Sequence, residues 1–446
     1  MYMITCAIPR IVIAGTGSGC GKTTVASGLI AALTERGLTV QAFKVGPDFI
    51  DPSHHRASSK RPARNLDPFM MGEAGVIKTF AHASKGADIA VIEGVMGLFD
   101  GVDGSDFAST AHVARILDAP IILVANVRGM SRSVHAVVHG FQTFDPSIRV
   151  EGLICTFGGS QRHESMVKNN LHIPCYGWIP RSPDLFVESR HLGLVMAAED
   201  MRMQQYGSMM EECCDISELI ICAEHTSSLL APSPDPDISP RVRLGIALDD
   251  AFCFYYEDNF TLLRQCGVEF VFFSPLSDTL PDADAYYFGG GYPELHMEKL
   301  TKSPCIDSLK QQANNGKVVL GECGGLMWLS NSITVDEETQ TMAGLLPASS
   351  EMEKQFVGLG YAQGEVTGGD LFQRGCVIKG HEYHYSRTKL ECDADARFSF
   401  TMSRGKGIQD GKDGLYVDNV LGYYTHMYLT PDLANSLIAA IEQTIK

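Results

Sequence analysis

One glycine-rich loop constrains the fold of this chain more than any other feature, because it joins a buried strand pattern to a helix pattern. The strand pattern covers residues 10–14 and the helix pattern covers residues 23–36. The loop and the helix start read Gly15, Thr16, Gly17, Ser18, Gly19, Cys20, Gly21, Lys22, Thr23 and Thr24. Glycines let backbone N–H groups turn toward phosphate oxygens, and the helix N-terminus adds a positive dipole. We predict that this loop binds a nucleoside triphosphate, with Lys22 on the terminal phosphates and the Thr23 hydroxyl on Mg²⁺.

The loop departs by one position from the usual phosphate-loop pattern. A glycine is expected five residues before Gly21, but that position is Thr16, and Gly15 lies one residue further back. The same spacing occurs in ATPases of the dethiobiotin synthetase kind, which this loop resembles. Partitioning ATPases of the MinD/ParA kind carry a second lysine at the position of Gly17, so this glycine disfavours that class.

Strand and helix patterns alternate along the chain and indicate two α/β domains. Further strand patterns in the first half lie at residues 39–45, 87–93, 120–125 and 150–155. This alternation predicts a parallel sheet with helices on both faces. A stretch rich in serine and proline follows, and then the alternation restarts. We predict an N-terminal domain over 1–225, a linker over 226–241 and a C-terminal domain over 242–446, with antiparallel or mixed strands from about residue 344 onward.

Two polar strings follow neighbouring strands of the predicted parallel sheet. Lys44 and Asp48 belong to the string 43–52, and Glu93 belongs to the string 91–101. Open parallel sheets bind ligands at the carboxyl ends of their strands, and Mg²⁺ prefers few carboxylates together with phosphate oxygens. We predict Glu93 and Asp48 as Mg²⁺ ligands and Lys44 as a contact for a phosphate or a substrate carboxylate. The alternative is that these carboxylates cap turns.

A second strong feature is Cys323, which follows an apolar strand pattern and stands among glycines. Small neighbours such as Gly324 allow a strained turn that exposes the sulfur, and a following helix N-terminus favours the thiolate. We predict Cys323 as a nucleophile with His426 as its base, since a Cys–His pair can attack an amide. The backbone N–H groups of Gly290, Gly291 and Gly324 are predicted to stabilise the oxyanion. The alternative is a buried structural cysteine.

Composition restricts the partners and the compartment. The 446 residues carry a net charge of -17, and an acidic surface repels nucleic acid and anionic membranes, so we expect neither as a partner. No apolar run is long enough to span a bilayer, and residues 1–10 do not have the pattern of a signal peptide. The 13 cysteines include no CxxC pair, which favours reduced thiols. We therefore expect a cytoplasmic protein.

Together these motifs resemble the cobyrinic acid a,c-diamide synthase family, whose members join a dethiobiotin-synthetase-like ATPase to a class I glutamine amidotransferase domain. The resemblance covers nearly the whole chain. Besides the strings above, it is carried by residues 190–194 (Arg-His-Leu-Gly-Leu), 289–294 (Gly-Gly-Gly-Tyr-Pro-Glu) and 380–386 (Gly-His-Glu-Tyr-His-Tyr-Ser). It implies an α/β fold with a P-loop parallel-sheet ATPase domain plus a flavodoxin-like class I glutamine amidotransferase domain.

The resemblance also implies a reaction. ATP phosphorylates a peripheral carboxylate of a tetrapyrrole polycarboxylate, L-glutamine hydrolysis at Cys323 supplies ammonia, and ammonia displaces phosphate to form an amide. The cycle runs on the a and c acetate side chains, with Mg²⁺ as cofactor and ATP as co-substrate. Contacts with the substrate are predicted for Lys44, Asp48, Arg190, His191 and His384, and those of Arg190, His191 and His384 are with its acid groups.

Several alternatives stay open at this level. Cobyrinic acid is the preferred substrate. Hydrogenobyrinic acid and nickel sirohydrochlorin, which lies on the path to coenzyme F430, are the alternative substrates. An ATPase switch with an inactive glutaminase fold is the alternative from a different class of protein. The oligomeric state is open, with a homodimer among the options.

Two positions depart from the family pattern. Class I glutaminases usually have Glu two residues after the histidine. Here that position is Tyr428, so His426 would be oriented by a phenol or by a backbone carbonyl. An Asn-Arg pair often precedes the string that contains His163 in this family, and the Asn often contacts the nucleotide base. Here Thr156 and Phe157 take that place, which leaves the base preference open.

Overall fold

The computed structural model describes residues 3–181, 199–233, 238–391 and 397–445, and for residues 199–203 it describes the backbone only. The chain divides into two compact units, Met1–Pro234 and Asp235–Lys446. This division falls within the segment predicted as a linker. Across the described ranges, no helix combines the length and the apolar character that crossing a bilayer requires.

The N-terminal unit is built on a parallel sheet. Its strands are β1 (Met3–Cys6), β2 (Arg10–Gly15), β3 (Val40–Val45), β4 (Arg64–Leu66), β5 (Ile89–Glu93), β6 (Ile121–Asn126), β7 (Val150–Gly158), β8 (Cys175–Pro180) and β9 (Leu229–Pro232). Seven of them follow the order β4-β3-β5-β2-β6-β7-β8, with all neighbouring pairs parallel. The predicted parallel sheet is therefore confirmed, and β1 and β9 form a separate antiparallel pair.

Helices cover both faces of this sheet. They are α1 (Lys22–Glu35), α2 (Ile50–Ser59), α3 (Pro68–Ala83), α4 (Thr110–Ile116), α5 (Ser133–Thr143), α6 (Gln161–Lys168), α7 (Glu199–Cys213) and α8 (Ile216–Ala223). Val12 of β2 belongs to one apolar core and Ile13 to the other. Successive strand residues face opposite sides, so an all-apolar strand needs cover on both. The carboxyl ends of β2, β3 and β5 carry the phosphate loop, Lys44 and Glu93 at one edge.

Arg10 at the start of β2 is a buried cation, and we expect its removal to be costly. Its guanidinium donates to the carbonyl oxygens of Ile8 at 3.2 Å, Leu117 at 2.5 Å and Ser227 at 2.7 Å. Methionine keeps most of the apolar stem but leaves these carbonyls without a donor. We expect Arg10→Met to lower the free energy of unfolding of this unit by about 3 kcal/mol.

Native-state hydrogen exchange of the β2 amides measures this loss without assuming that both units unfold together. Arg149→Met is the matched control, because the Arg149 side chain is 42% exposed. A surface ion pair contributes about 1 kcal/mol or less. Equal losses in the two variants would refute a structural role for the Arg10 hydrogen bonds.

The C-terminal unit contains a longer run of strands. They are β10 (Val242–Ala247), β11 (Val268–Phe273), β12 (Ala285–Phe288), β13 (Val318–Glu322), β14 (Ser332–Val335), β15 (Glu338–Thr341), β16 (Ala348–Met352), β17 (Gly358–Val366), β18 (Val377–His384), β19 (Ser386–Leu390), β20 (Arg397–Arg404), β21 (Lys412–Val417), β22 (Val420–Tyr423) and β23 (His426–Tyr428). The helices are α9 (Glu257–Gln265), α10 (Met297–Leu300), α11 (Ile306–Asn314), α12 (Gly324–Leu329) and α13 (Pro431–Ile445).

The main sheet of this unit joins a parallel half to an antiparallel half. Its strand order is β11-β10-β12-β13-β22-β21-β20-β17-β18-β23, beside a smaller sheet with the order β15-β14-β16-β19. The first five strands are parallel and follow the flavodoxin-like order, whereas the pairs from β22–β21 onward are antiparallel. The predicted fold class is confirmed. Because β12 and β13 are parallel neighbours, the loops at their carboxyl ends meet at one edge.

Candidate active sites

The phosphate loop lies between the end of β2 and the start of α1. Gly21 has a φ of 94°, in the left-handed region that glycine adopts at no steric cost. A β-carbon on Gly15 would lie 2.9 Å from Lys22 Cδ, so the loop closes tightly over its own first residue. Lys22 Nζ donates to the carbonyl oxygens of Gly17 at 3.0 Å and Met96 at 2.5 Å. The other predicted loop residues lie in the same turn or in the first turn of α1, namely Thr16, Ser18, Gly19, Cys20, Thr23 and Thr24.

Glu93 is the centre of a buried polar network at the end of β5. The Thr23 hydroxyl donates to Glu93 Oε1 at 2.7 Å, and Lys44 Nζ lies 3.0 Å from the same oxygen. Lys44 Nζ also lies 2.7 Å from Asp51 Oδ2, and His55 Nε2 lies 2.7 Å from Glu93 Oε2. Burial by itself lowers the pKa of Lys44, but the Asp51 and Glu93 carboxylates raise it above its usual value. Lys44 is therefore a fixed cation held between two carboxylates.

Sequence reasoning missed His55. Asp51 and His55 are four residues apart on α2, which places them on the same face of the helix. That spacing, directly after the string that contains Lys44, is the signal that could have found the histidine.

Thr23 and Glu93 fit a Mg²⁺ site. A hydroxyl and one carboxylate oxygen lie 2.7 Å apart beside the phosphate loop, and Mg²⁺ takes such ligands together with phosphate oxygens and water. Asp48 was also predicted as a ligand. Its Oδ1 accepts the backbone N–H groups of Ile50 at 2.8 Å and Asp51 at 3.2 Å, so this oxygen caps the start of α2. A metal role for Asp48 stays a prediction.

A shallow cleft opens beside the phosphate loop and is lined by Gly21, Thr24, Val25, Thr156, Phe157, Ile179 and Pro180. Thr156 and Phe157, which replace the Asn-Arg pair of the family pattern, therefore both border this cleft. The Thr156 hydroxyl donates to the carbonyl oxygen of Cys20 at 2.7 Å and lies 3.2 Å from that of Ala125. Its single proton is thus used within the protein, where it supports the backbone of the loop.

The predicted contacts with a substrate are not all described. Arg190 and His191 lie outside the described ranges. His384 lies in the C-terminal unit, is 4% exposed, and stacks on Tyr424 with ring centroids 3.7 Å apart. Its Nδ1 lies 2.8 Å from the carbonyl oxygen of Ser386. The structure therefore places His384 in the interior of that unit, and a contact with substrate stays a prediction.

Cys323 occupies the sharp turn between β13 and α12. Its φ of 50° and ψ of -98° are unusual for a residue other than glycine, and such strain is typical of a nucleophile held at an elbow. A β-carbon on Gly325 would collide with the carbonyl oxygen of Phe288, and one on Gly324 would lie 2.9 Å from Pro293 Cδ. Glycine at both positions therefore lets the elbow pack against the end of β12.

The glycine loop after β12 lies against the histidine. A β-carbon on Gly290 would collide with His426 Cε1, and one on Gly324 would lie 3.2 Å from the backbone nitrogen of Gly291. The structure thus brings the two predicted catalytic residues and the three predicted oxyanion glycines to one place. Binding of an oxyanion by these glycines stays a prediction.

His426 is buried beside Cys323 and Glu322. Burial by itself lowers the pKa of His426, but the charge of Cys323, a hydrogen bond with it, and Glu322 raise the pKa to about 10. His426 Nδ1 lies 2.8 Å from Glu322 Oε1. The expected phenol or backbone carbonyl does not take this position, since Tyr428 packs its ring against Tyr256 instead. Sequence reasoning missed Glu322, whose one signal was its place next to the nucleophile.

Both units match known protein families. Residues 11–195 match the CobQ/CobB/MinD/ParA nucleotide binding domain, and residues 243–433 match the CobB/CobQ-like glutamine amidotransferase domain. A solved glutamine amidotransferase structure is similar at 17% identity with a TM-score of 0.34, covering 45% of this chain and 98% of its own.

Similarity to curated relatives extends over nearly the whole chain. A protein of Methanosarcina acetivorans named cobyrinate a,c-diamide synthase is 39% identical over 97% of this chain and 95% of its own length. Proteins with the same name from Methanosarcina barkeri and Leptospira interrogans are 38% and 37% identical, each over 97% of this chain. They cover 96% and 98% of their own lengths.

Proposed function

Because this chain belongs to the cobyrinate a,c-diamide synthase family, we propose that it converts the a and c acetate carboxylates of cobyrinate into amides, with ATP and L-glutamine as co-substrates. The observation that carries this proposal is the presence, in one chain, of two sites with complementary chemistry. One is the phosphate loop with Lys22, Thr23 and Glu93, and the other is the Cys323–His426 pair. The protein is an ATP-dependent, glutamine-hydrolysing ligase that forms carbon–nitrogen bonds.

The ATP site solves the problem of the leaving group. A carboxylate does not react with ammonia at a useful rate, because hydroxide is a poor leaving group. A carboxylate oxygen of the substrate attacks the γ-phosphorus of ATP, and ADP leaves. The lone pair of ammonia then adds to the acyl carbon, phosphate leaves, and one proton is lost, which yields the amide. The N-terminal unit has only to position these groups and stabilise charge.

Named residues support this step. The Lys22 ammonium neutralises charge on the terminal phosphates, and Thr23 and Glu93 would hold Mg²⁺. When bound, Mg²⁺ offsets negative charge on the phosphate oxygens. Lys44 is held between the carboxylates of Asp51 and Glu93, which keeps its cation at the same edge of the sheet.

The second site releases ammonia from glutamine. The sulfur of Cys323 attacks the amide carbon of glutamine, and His426 gives a proton to the departing ammonia. Water then cleaves the thioester and yields glutamate. Backbone N–H groups of Gly290, Gly291 and Gly324 are the proposed donors to the oxyanion.

The names of the relatives favour cobyrinate over nickel sirohydrochlorin. Relatives that are 36% to 39% identical share the name cobyrinate a,c-diamide synthase. An ATPase switch with an inactive glutaminase fold is disfavoured, because Cys323 and His426 lie within hydrogen-bonding reach of each other.

Product analysis tests the proposal directly. Purified protein is incubated with Mg-ATP, glutamine and one of three substrates, namely cobyrinate, hydrogenobyrinate or nickel sirohydrochlorin. The masses of the products are then measured by mass spectrometry. We expect two acid-to-amide conversions on cobyrinate. If only one of the other two macrocycles were converted, that macrocycle would be assigned as the substrate instead of cobyrinate. ATP hydrolysis without conversion of any macrocycle would overturn the tetrapyrrole assignment.

We expect Gly290→Ala to lower glutamine hydrolysis by about 10²-fold or more, because the added methyl group would displace His426 from its position. Glutaminase assays with the purified variant measure this loss. Gly140→Ala is the matched control, since a β-carbon at that helical glycine meets nothing within 4 Å. Full glutaminase activity in the Gly290 variant would show that the close contact with His426 is not functional.

A further inference from the structure

Glu322 is a buried carboxylate that the proposed reaction has not yet used. It is the last residue of β13 and directly precedes the nucleophile Cys323. Its side chain is 2% exposed, and Oε1 lies 2.8 Å from Nδ1 of His426. A carboxylate buried to this extent destabilises the fold unless its oxygens receive protons from partners.

The second oxygen of Glu322 is also held. The Tyr287 hydroxyl, on the neighbouring strand β12, donates to Oε2 at 2.8 Å. The backbone N–H of Met427 lies 3.4 Å from the same oxygen. The carboxylate is therefore clamped between β12 and β23, and its orientation toward His426 does not depend on a flexible side chain alone.

The position two residues after the histidine has a different role in this chain. Tyr428 packs its ring against Tyr256, with centroids 6.2 Å apart. The Tyr256 hydroxyl lies 2.7 Å from His381 Nδ1, and the His381 ring stacks on His426 at 4.8 Å. These aromatic rings support the face of the His426 ring, but they bring no carboxylate to its Nδ1.

We propose that Glu322 is a positioning residue for glutamine hydrolysis. It accepts the Nδ1–H of His426, which fixes the tautomer and leaves Nε2 for the Cys323 thiol. It thereby takes the role that class I glutaminases usually give to a Glu two residues after the histidine. This inference rests on the proposed function, because it presupposes that Cys323 and His426 hydrolyse glutamine.

The placement has a physical consequence. The orienting carboxylate and the nucleophile are adjacent in the backbone, at the point where β13 enters the elbow. Their separation is therefore set by one rigid strand end, and only His426 has to be brought to them by tertiary packing. A positioned base with a carboxylate on its far nitrogen is the arrangement that keeps an imidazolium stable while it holds a thiolate.

Removing the carboxylate should change the pH profile as well as the rate. Glu322 raises the pKa of His426, so its loss lowers that pKa. Glutamine hydrolysis needs the protonated imidazole of His426. When the pKa of His426 is lower, the rate should therefore begin to fall at a lower pH as the solution is made alkaline. In the part of the chain that the structure describes, the titratable groups around His426, Glu322 and β23 include Cys323, His381, His384, Asp413, Lys379 and the phenols of Tyr256 and Tyr287. Burial lowers the pKa of His381 and lowers that of His384 to about 4, so neither titrates on the alkaline side.

The first test is Glu322→Gln, a change that keeps the size of the side chain. We expect kcat for glutamine hydrolysis to fall by 10²- to 10⁴-fold, on the order seen when triad carboxylates are removed, with KM for glutamine within about threefold. The alkaline limb of kcat should move down by about one pH unit or more, because the imidazolium that donates a proton to the departing ammonia is lost at a lower pH. Amide formation from ammonium chloride should be unchanged, which shows that the ATP site of the N-terminal unit is intact in the variant.

A pair of tyrosine variants tests the role of Glu322 without changing the carboxylate itself, in case the Glu322→Gln variant does not fold. Tyr287→Phe removes the hydroxyl that holds Glu322 Oε2, and we expect about a tenfold loss of kcat. Tyr286→Phe, one residue earlier on β12, removes a hydroxyl that donates to the Pro281 carbonyl instead and should keep full activity.

The outcomes separate this inference from the proposed function. A wild-type protein without glutaminase activity would refute the proposed function itself. An active wild type whose Glu322→Gln variant keeps both its rate and its alkaline limb would overturn the role of Glu322. If Glu322→Gln does not fold, equal activity of the two tyrosine variants would overturn it.

Discussion

Replacing Cys323 with alanine is expected to abolish amide formation from glutamine and to leave amide formation from ammonium intact. The loss should exceed about 10³-fold, because removal of a nucleophile eliminates the covalent route rather than weakening it. The site with ATP needs only ammonia, so a high concentration of ammonium bypasses the glutaminase. Product formation from each nitrogen source, measured in parallel, checks both halves of this prediction.

The strained turn at Cys323 makes a matched cysteine control useful. Cys376 lies in the same unit and is half-buried, so Cys376→Ala removes a thiol without touching the elbow. We expect that variant to use glutamine and ammonium like the wild type. If Cys323→Ala still used glutamine, the nucleophile would have to be another group and the assignment would be wrong.

Replacing Lys22 with alanine is expected to abolish amide formation from both nitrogen sources. The Lys22 ammonium donates to the carbonyl oxygens of Gly17 in the phosphate loop and of Met96 after β5, beside the place where the terminal phosphates of ATP would bind. Its loss removes the charge that stabilises phosphoryl transfer, for which we expect a decrease of about 10³-fold or more. Amide formation from ammonium, followed at saturating Mg-ATP, is the decisive measurement because it does not depend on Cys323.

A variant of a surface lysine is the control for the loss of one positive charge at a position away from the phosphate loop. Lys85 is exposed in the same unit, and Lys85→Ala should leave synthesis unchanged. Retained ammonium-dependent synthesis in the Lys22 variant would mean that the loop does not act on the transferred phosphate. The two predictions differ in the effect of ammonium: it should restore amide formation in the Cys323 variant but not in the Lys22 variant.

Much of the fold followed from local patterns. Apolar runs alternating with helices predicted a parallel sheet, and the strands β2, β3, β5, β6 and β7 overlap the predicted ranges. Loops such as Gly15–Gly21 and Gly289–Gly291 are visible in sequence because glycine is needed where backbone approaches backbone. Cys323 and Gly324 were predicted in the same way, from a glycine frame around a cysteine, whereas Gly290, Gly291 and His426 were predicted from two separate strings.

Some side-chain roles did not follow from the sequence. Asp48 was predicted as a metal ligand, with the capping of a turn as the alternative, and its Oδ1 caps the start of α2. A metal role for Asp48 stays a prediction, because both roles favour a carboxylate directly after a strand. His55 was missed because its one local signal, the four-residue spacing from Asp51 on α2, does not show that β5 brings Glu93 to it. Glu322 was missed because strand patterns mark burial and alternation, not the partner of a buried polar group.

The sequence by itself determined the chemistry that each site could offer, because glycine loops, a lysine and a cysteine at strand ends depend on contacts between near neighbours in the chain. Only the tertiary structure decided which carboxylate serves which base. Glu322 and His426 are 104 residues apart and meet because β13 and β22 pair in parallel, with β23 following directly after β22. Buried ion pairs of this kind are set by the packing of distant segments, and no local pattern records them.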